Sequence, residues 1–408
     1  MENNLISINT IFADGEFWSY LLPLTFTRPV AELRVGYRTI REKWADYLTK
    51  APSYLTEDYL QGKFPAVIED NNLVLNAAVL PDESLVKAIA SLKSGQVLVA
   101  GKTWVAMQRS GEDIKNGDLT SYLENAVQIP YTAESLPRVI GRPWHILSYL
   151  AEELITDIEK IISGRQSKSL SSSNRIIGSG TVFLEEGVTA ECCIFNTTSG
   201  PVYLGKNSEV MEGSMIRGPF ALGEGSTINM GAKVYGPVSV GPRCKVGGEV
   251  KGTIFMGNAN KGHDGFVGDS IIGEWCNLGA DTNTSNLKNN YLPVRVWSYV
   301  EEKFVDTGLQ FCGLIMGDHT KTGINTMFNT GTVTGAYSNI FGEGYPRTFI
   351  PSFAWGGASG FSTHPLKKAL ETAEIVMARR KVEMRQEERN IANHIMEITA
   401  KFRVWEKG

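Results

Sequence analysis

Leu204 to Val246 reads LGKNSEVMEGSMIRGPFALGEGSTINMGAKVYGPVSVGPRCKV, a stretch in which Leu204, Val210, Ile216, Leu222, Ile228, Val234, Val240 and Val246 recur at every sixth position without a gap. Two residues before most of them stands a small or modest side chain, as in Ser208, Ser214, Ser226, Ala232, Val238 and Cys244, with Phe220 the exception. Glycine often follows, at Gly205, Gly223, Gly241 and Gly247. An α-helix repeats its faces about every 3.6 residues and a strand about every 2, so neither holds one aliphatic residue at each sixth place. A triangular coil with one hexapeptide per side does. The aliphatic residue fills the prism, the small residue tucks into the corner, and glycine permits the backbone angles of the turn. The pattern predicts a left-handed parallel β-helix of hexapeptide repeats over residues 176–361.

Toward the C-terminus the rhythm lapses near Gly252, resumes at Phe266, Ile272 and Leu278, and lapses again from Asn286 to Val305, with no register through Leu287 to Gly313. Such breaks mark loops leaving a solenoid, often on its binding face. Ser362-Thr-His-Pro365 reads as a helix start. The apolar stripes Leu366, Leu370, Ala373, Met377 and Ile391, Ile395, Ile398, Phe402 then predict a C-terminal helix or helix pair over 362–408, covering the open end of the solenoid or packing on a neighbouring subunit. Toward the N-terminus, Pro143 to Gly164 places Leu147, Leu150, Leu154, Ile158 and Ile161 on one helical face. A polar, serine-rich run from Arg165 to Asn174 follows, so residues 143–175 read as a linker helix and connector. Residues 1–142 alternate strand candidates (Asn9 to Ala13, Leu73 to Leu80, Gln96 to Gly101, Trp104 to Gln108) with helix candidates (Thr39 to Leu48, Glu83 to Leu92). That alternation predicts an α/β domain with a mostly parallel sheet.

The chain has 408 residues and a formal net charge of -4, which gives no electrostatic case for nucleic acid or an anionic membrane. No apolar run is long enough to span a bilayer. A phosphate-bearing ligand must therefore be held by a few local basic residues. The opening MENNLISINTIFADGEF lacks the basic start, apolar stretch and cleavage site of a secretory signal, and reads as a cytoplasmic N-terminus. Cys192, Cys193, Cys244, Cys276 and Cys312 show no metal-ligand spacing and read as reduced core thiols.

A solenoid presents its side chains in ladders, and a site needs an irregular stretch that breaks them. Gly257-Asn-Ala-Asn-Lys-Gly-His-Asp264 is such a stretch, and His263 is a candidate general base because imidazole titrates near neutrality. Asn260-Lys-Gly-His-Asp-Gly-Phe-Val-Gly-Asp269, followed by Ile272-Gly-Glu-Trp-Cys-Asn-Leu-Gly-Ala-Asp-Thr-Asn-Thr-Ser-Asn286, resembles the acetyltransferase segment of the GlmU family, bifunctional glucosamine-1-phosphate N-acetyltransferases and N-acetylglucosamine-1-phosphate uridyltransferases. The family pattern runs N-K-x-G-H, G-D, N-x-G-A-G-T and a further Asn, and this chain has one residue fewer before the His. The resemblance makes His263 the base that deprotonates the sugar amine as it attacks the acetyl-CoA thioester. It makes Asn277 and Asn286 substrate-binding residues, Lys251 a ligand of the sugar phosphate, and Ala280 the residue whose backbone lies near the thioester. Phe266 stands where the family has tyrosine and is expected to stack on substrate; Asp281 replaces the second Gly of G-A-G-T; the second phosphate-binding Arg could be matched by Lys233 or Arg243.

Nearly end to end the chain resembles a variant, GlmU-like bacterial group, with Leu21-Leu-Pro-Leu-Thr-Phe-Thr-Arg-Pro-Val-Ala-Glu-Leu-Arg-Val-Gly36 at its head. That head also resembles the opening of sugar-phosphate nucleotidyltransferases, through Pro23-Leu-Thr25, Arg28-Pro29 and Leu33-Arg-Val-Gly36. The resemblance implies a nucleotidyltransferase-like, Rossmann-like first domain. Its glycine-rich signature is reduced to Gly15, and Val30 sits where the family keeps lysine, so Arg28 and Arg34 are the candidates for the missing charge. Asn76 stands at the strand end where the family's metal-binding Asp is expected; Asp82, read also as a helix N-cap, and Asp14 are weaker candidates, and the metal ligands are left unassigned.

What the resemblance implies is acetyl transfer from acetyl-CoA to glucosamine-1-phosphate at the β-helix, then uridylyl transfer from UTP with Mg²⁺ at the first domain, by a homotrimer with acetyl-CoA between neighbouring β-helices. The sequence leaves open a single activity, either acyl or nucleotidyl transfer, and a non-catalytic sugar-nucleotide-binding scaffold.

Overall fold

The computed structural model describes residues 6–116 and 119–407; Met1–Leu5, the start of the segment read for a leader, lie outside them. The chain divides into two compact units. The first comprises residues up to Leu21, Thr27–Arg34 and Arg38–His145; the second comprises Leu22–Phe26, Val35–Tyr37 and everything from Ile146 onward.

The first unit is built on a six-stranded sheet in the order Ser53–Leu55, Asn9–Ala13, Asn71–Asn76, Thr103–Ser110, Gln96–Ala100, Val127–Pro130. All run one way except Thr103–Ser110, which is antiparallel to both its neighbours. That strand follows Gln96–Ala100 after only Gly101 and Lys102, with Gly101 at φ +61, and so short a link joins antiparallel neighbours alone. Asn9–Ala13 is buried along its whole length, as expected of an interior parallel strand. Asp82 caps the helix Glu83–Ala90, its carboxylate accepting from the Leu85 N–H at 2.8 Å.

The second unit is a three-sided parallel β-solenoid. Leu204, Leu222 and Val240 stack on one side, Val210, Ile228 and Val246 on the next, and Ile216, Val234 and Val250 on the third. Each aliphatic residue of the hexad therefore lands on a new side, and burying it contributes about 1.5–3 kcal/mol relative to exposure. Phe220 breaks the small-residue rule because its side of the prism turns two residues per strand inward: Val202 with Leu204, Phe220 with Leu222, Val238 with Val240, all in one core. The outward residues of that side, Phe183, Tyr203 and Ala221, are covered by Leu154 and Ile158 of the helix Pro143–Ile162.

The rhythm resumes at Ile272 and Leu278 as the sequence suggested, but its first beat falls one residue later. Val267, not Phe266, faces the core at 0% exposure, and the Phe266 ring lies outside. The break from Leu287 is an excursion containing the hairpin Arg295–Ser298 with Lys303–Asp306. It leaves at Asn286 and returns at Cys312, whose N–H donates to the Asn286 carbonyl at 3.0 Å. Its Trp297 stacks on Phe349 at 4.3 Å. Near the C-terminal end one corner of the coil is filled by Trp275, His319, Tyr337 and Phe353, all with φ between 58 and 60, stacked ring on ring at 6.2, 4.6 and 5.1 Å. Of the expected helix start Ser362–Pro365, Ser362 and Thr363 lie in the strand Gly360–Thr363, which pairs antiparallel with Ala354–Gly357, and the first helix, Leu366–Ala378, begins directly after Pro365; the second is Gln386–Ile398.

Candidate active site

His263 sits at the corner between two sides of the solenoid. Asn260–Lys261 precede it on one side and Phe266–Gly268 follow on the next. Its side chain is exposed while its turn is fixed by neighbouring coils: the Asn229 amide donates to the Gly262 carbonyl at 2.7 Å, and the Asp281 N–H to the Asp264 carbonyl at 3.0 Å. Asn277 lies on the coil next to Asn260, which donates from Nδ2 to Asn277 Oδ1 at 2.6 Å. Asn260 thus orients the Asn277 amide, a link that its place in the motif alone does not reveal. Ala280 stands at the following corner, its carbonyl accepting from the Asn325 N–H at 2.8 Å.

The adjoining side carries the other expected residues. Lys251 pairs in register with Gly268, and Glu249 with Phe266. Lys251 Nζ lies over the Phe311 ring, 4.6 Å from its centre, so the end of the excursion is part of this surface. Asn286 Nδ2 donates to Asp269 Oδ2 at 2.5 Å. Burial raises the Asp269 carboxyl above its ordinary range, against the lowering effects of Asn286 and Lys251. Burial also pushes the neighbouring Cys312 thiol up to about 12, with the Asp269 charge adding to the shift, so Cys312 is an inert thiol rather than a nucleophile. Gly268 is the floor: a Cβ there would come within 2.5 Å of Phe266 Cζ and 2.7 Å of Asn286 Nδ2. Phe266, Asn286, Asp269, Lys251 and Phe311 therefore form one cluster.

Of the two candidates for a second phosphate contact, Lys233 belongs to this face, in the register Lys233, Glu249, Phe266. Arg243 does not; it occupies another corner and its Nε donates to Asn258 Oδ1 at 2.8 Å. Asp281 has φ +55, the left-handed conformation for which the resembling sequences use glycine and which Asp tolerates better than most residues.

In the first unit, Asn76 is buried at the end of its strand and hydrogen-bonded to the backbone. It is 0% exposed, donates to the Trp104 carbonyl at 2.9 Å and accepts from the Ala78 N–H at 3.0 Å. Asp14, at the carboxyl end of Asn9–Ala13, accepts from the Val30 N–H at 2.9 Å and the Thr56 hydroxyl at 2.6 Å, and burial pushes its carboxyl up to about 7. Arg28 and Arg34 are largely buried, with Arg34 3.9 Å from the Glu42 carboxylate. Among the described residues no group of three or more His, Cys, Asp and Glu is placed to hold a metal ion by itself. No helix among the described residues is long and apolar enough to cross a membrane.

Comparison with known proteins finds a family match in the first part of the chain and similarity to GlmU proteins. Residues 10–166 match the sugar nucleotidyl transferase family. GlmU of Methanocaldococcus jannaschii, described as a bifunctional protein, is 34% identical over 210 residues, 48% of this chain and 41% of that one. The chain is similar to GlmU along about half its length. The bifunctional sugar-1-phosphate nucleotidylyltransferase/acetyltransferase of Sulfurisphaera tokodaii is 37% identical over 93 residues, 23% of each chain, and GlmU of Methanococcus aeolicus 42% identical over 92 residues, 22% of each. The match thus spans less than half the length of these GlmU relatives. A GlmU-like chain with a sugar nucleotidyl transferase segment ahead of a β-solenoid is what the sequence motifs predicted.

Proposed function

We propose that the protein acetylates glucosamine-1-phosphate with acetyl-CoA at the solenoid and joins the product to a uridylyl group from UTP at the first unit, yielding UDP-N-acetylglucosamine and pyrophosphate. One observation carries the first half: an exposed imidazole on a braced corner, flanked by an asparagine column on one side and by the Lys251, Phe266 and Asn286 cluster on the other. His263 takes a proton from the amine as its nitrogen attacks the thioester carbonyl. The C–N bond forms, the C–S bond breaks, and CoA leaves as a thiol after protonation. A backbone N–H near Ala280 stabilises the developing oxyanion. Lys251 and Lys233 neutralise the sugar phosphate, and Phe266 offers an apolar face to the ring. The relatives' names support both activities for them, and the sequence resemblance implies a homotrimer with acetyl-CoA between neighbouring β-helices, working in the cytoplasm.

A second reading, acetyl transfer alone with a nucleotide-binding first unit, is favoured by the engagement of Asn76 and Asp14 in backbone and hydroxyl hydrogen bonds. Following free thiol after mixing protein, acetyl-CoA and glucosamine-1-phosphate, then pyrophosphate after adding UTP and Mg²⁺, separates the two. Thiol then pyrophosphate supports both activities. Thiol without pyrophosphate supports the second reading, and no thiol under any tested pH defeats the acetyltransferase assignment.

A further inference from the structure

Lys261 occupies an inward position of the solenoid. In register with it the preceding coil carries Val246, yet Lys261 is 1% exposed. A buried ammonium must find acceptors. This one donates to the His263 carbonyl at 2.5 Å and the Asp264 carbonyl at 3.2 Å. The same turn is pressed by the preceding coil, where a Cβ on Gly248 would meet the Asp264 Cα and the His263 oxygen at 2.8 Å each. A methionine or leucine would fill the prism equally well; what the lysine adds is a grip on these two carbonyls.

We propose that Lys261 is a positioning residue for acetyl transfer: from inside the prism it holds the carbonyls of His263 and Asp264 and so sets the direction in which the imidazole leaves the corner. The inference rests on His263 being the base. The charged groups acting on the ammonium are Asp264 on its own turn and Asp281 on the next coil, while Lys245 on the preceding coil is exposed on the outer surface. Asp281 stands where the resembling sequences have glycine, so this chain has supplied a counter-charge for its buried lysine at that corner. Burial lowers the Lys261 ammonium to about 8, against the raising effect of the two carboxylates. The charge-assisted grip is therefore strongest well below that pH and weakens as pH rises through it, when the ammonium becomes an amine that donates less strongly.

The test is a pH profile of thiol release by the full chain, with acetyl-CoA and glucosamine-1-phosphate, for wild type, Lys261→Met, Asp281→Asn and His263→Ala. Lys261→Met is expected to lower kcat by up to about 100-fold with KM values little changed, the signature of a misdirected group. The wild-type rate is expected to fall as pH rises through about 8, a limb absent from Lys261→Met. Asp281→Asn, which leaves the core intact and so remains informative if Lys261→Met fails to fold, is expected to move that limb a few tenths of a pH unit lower. A merely structural lysine would change melting temperature without moving the limb. An unchanged kcat in folded Lys261→Met, or a limb unmoved in Asp281→Asn, overturns the proposal. Retained activity in His263→Ala instead sinks the assignment of the base and is distinguishable from both.

Discussion

The ammonium of Lys251 rests 4.6 Å from the centre of the Phe311 ring, bringing together a residue of the regular coil and the last aromatic of the 287–311 excursion. A cation held against a ring stays directed and less solvated, which suits it to receive a phosphate. Removing its charge by Lys251→Ala is expected to raise KM for the sugar phosphate roughly ten- to hundredfold, from the loss of about 1.5–3 kcal/mol of charged hydrogen bonding, with a smaller effect on kcat. Phe311→Ala is expected to raise it less, by the equivalent of about 0.5–1 kcal/mol. Steady-state kinetics at saturating acetyl-CoA checks both, and an unchanged KM in Lys251→Ala would remove this residue from the site.

Gly268→Ala tests the floor of the cluster. The added methyl would overlap Phe266 and Asn286, so both must move. Glucosamine-1-phosphate binding is expected to weaken at least about tenfold, the scale of losing one good polar contact. Calorimetric titration of the variant reads this directly; wild-type affinity would show that neither residue meets the sugar.

Stability of the first unit should carry the signature of Asp14. Its buried carboxyl keeps a proton up to about 7, against an ordinary 3.8. Between these values the folded chain holds a proton that the unfolded chain has released, so stability falls as pH rises through the window and remains low above it. Asp14→Asn, whose Oδ1 still accepts from the Val30 N–H while its Nδ2 donates to the Thr56 hydroxyl instead of accepting from it, is expected to raise the melting temperature more at about pH 8 than at about pH 5. Equal shifts at the two pH values would contradict the burial of an ionisable carboxyl there.

Phe353 is 0% exposed and ends the stacked corner of Trp275, His319 and Tyr337. Phe353→Ala is expected to cost about 3–5 kcal/mol, read by denaturant unfolding. A loss below about 1 kcal/mol would mean that the ring column contributes little to the corner.

The solenoid was legible because the eight residues at successive sixth positions from Leu204 to Val246 are aliphatic and face inward. Legibility failed where the inward residue is polar: Lys261 on one side and Thr322 farther along the same side give no hydrophobic beat. Phe266 and Val267 are adjacent apolar residues, and only the coil's register shows which faces out. The left-handed corners of Trp275, His319, Tyr337 and Phe353 carry none of the Gly or Asn that announces such a turn, since stacking between coils offsets their strain. His263, Asn277 and Asn286 were visible through their motif. Phe311 was not, because it reaches Lys251 only after a long excursion closes on itself, and nothing in the pattern around Asn76 signals that its amide bonds the Trp104 carbonyl and the Ala78 N–H.

Single-turnover acetyl transfer, with thiol release followed from acetyl-CoA and glucosamine-1-phosphate by wild type and His263→Ala, bears most directly on the central claim. An exposed side chain on a turn held by its backbone can be removed without unfolding the corner, so the variant is expected to keep its melting temperature while losing about 100- to 10,000-fold in rate. Thiol release by His263→Ala at the wild-type rate would contradict the account.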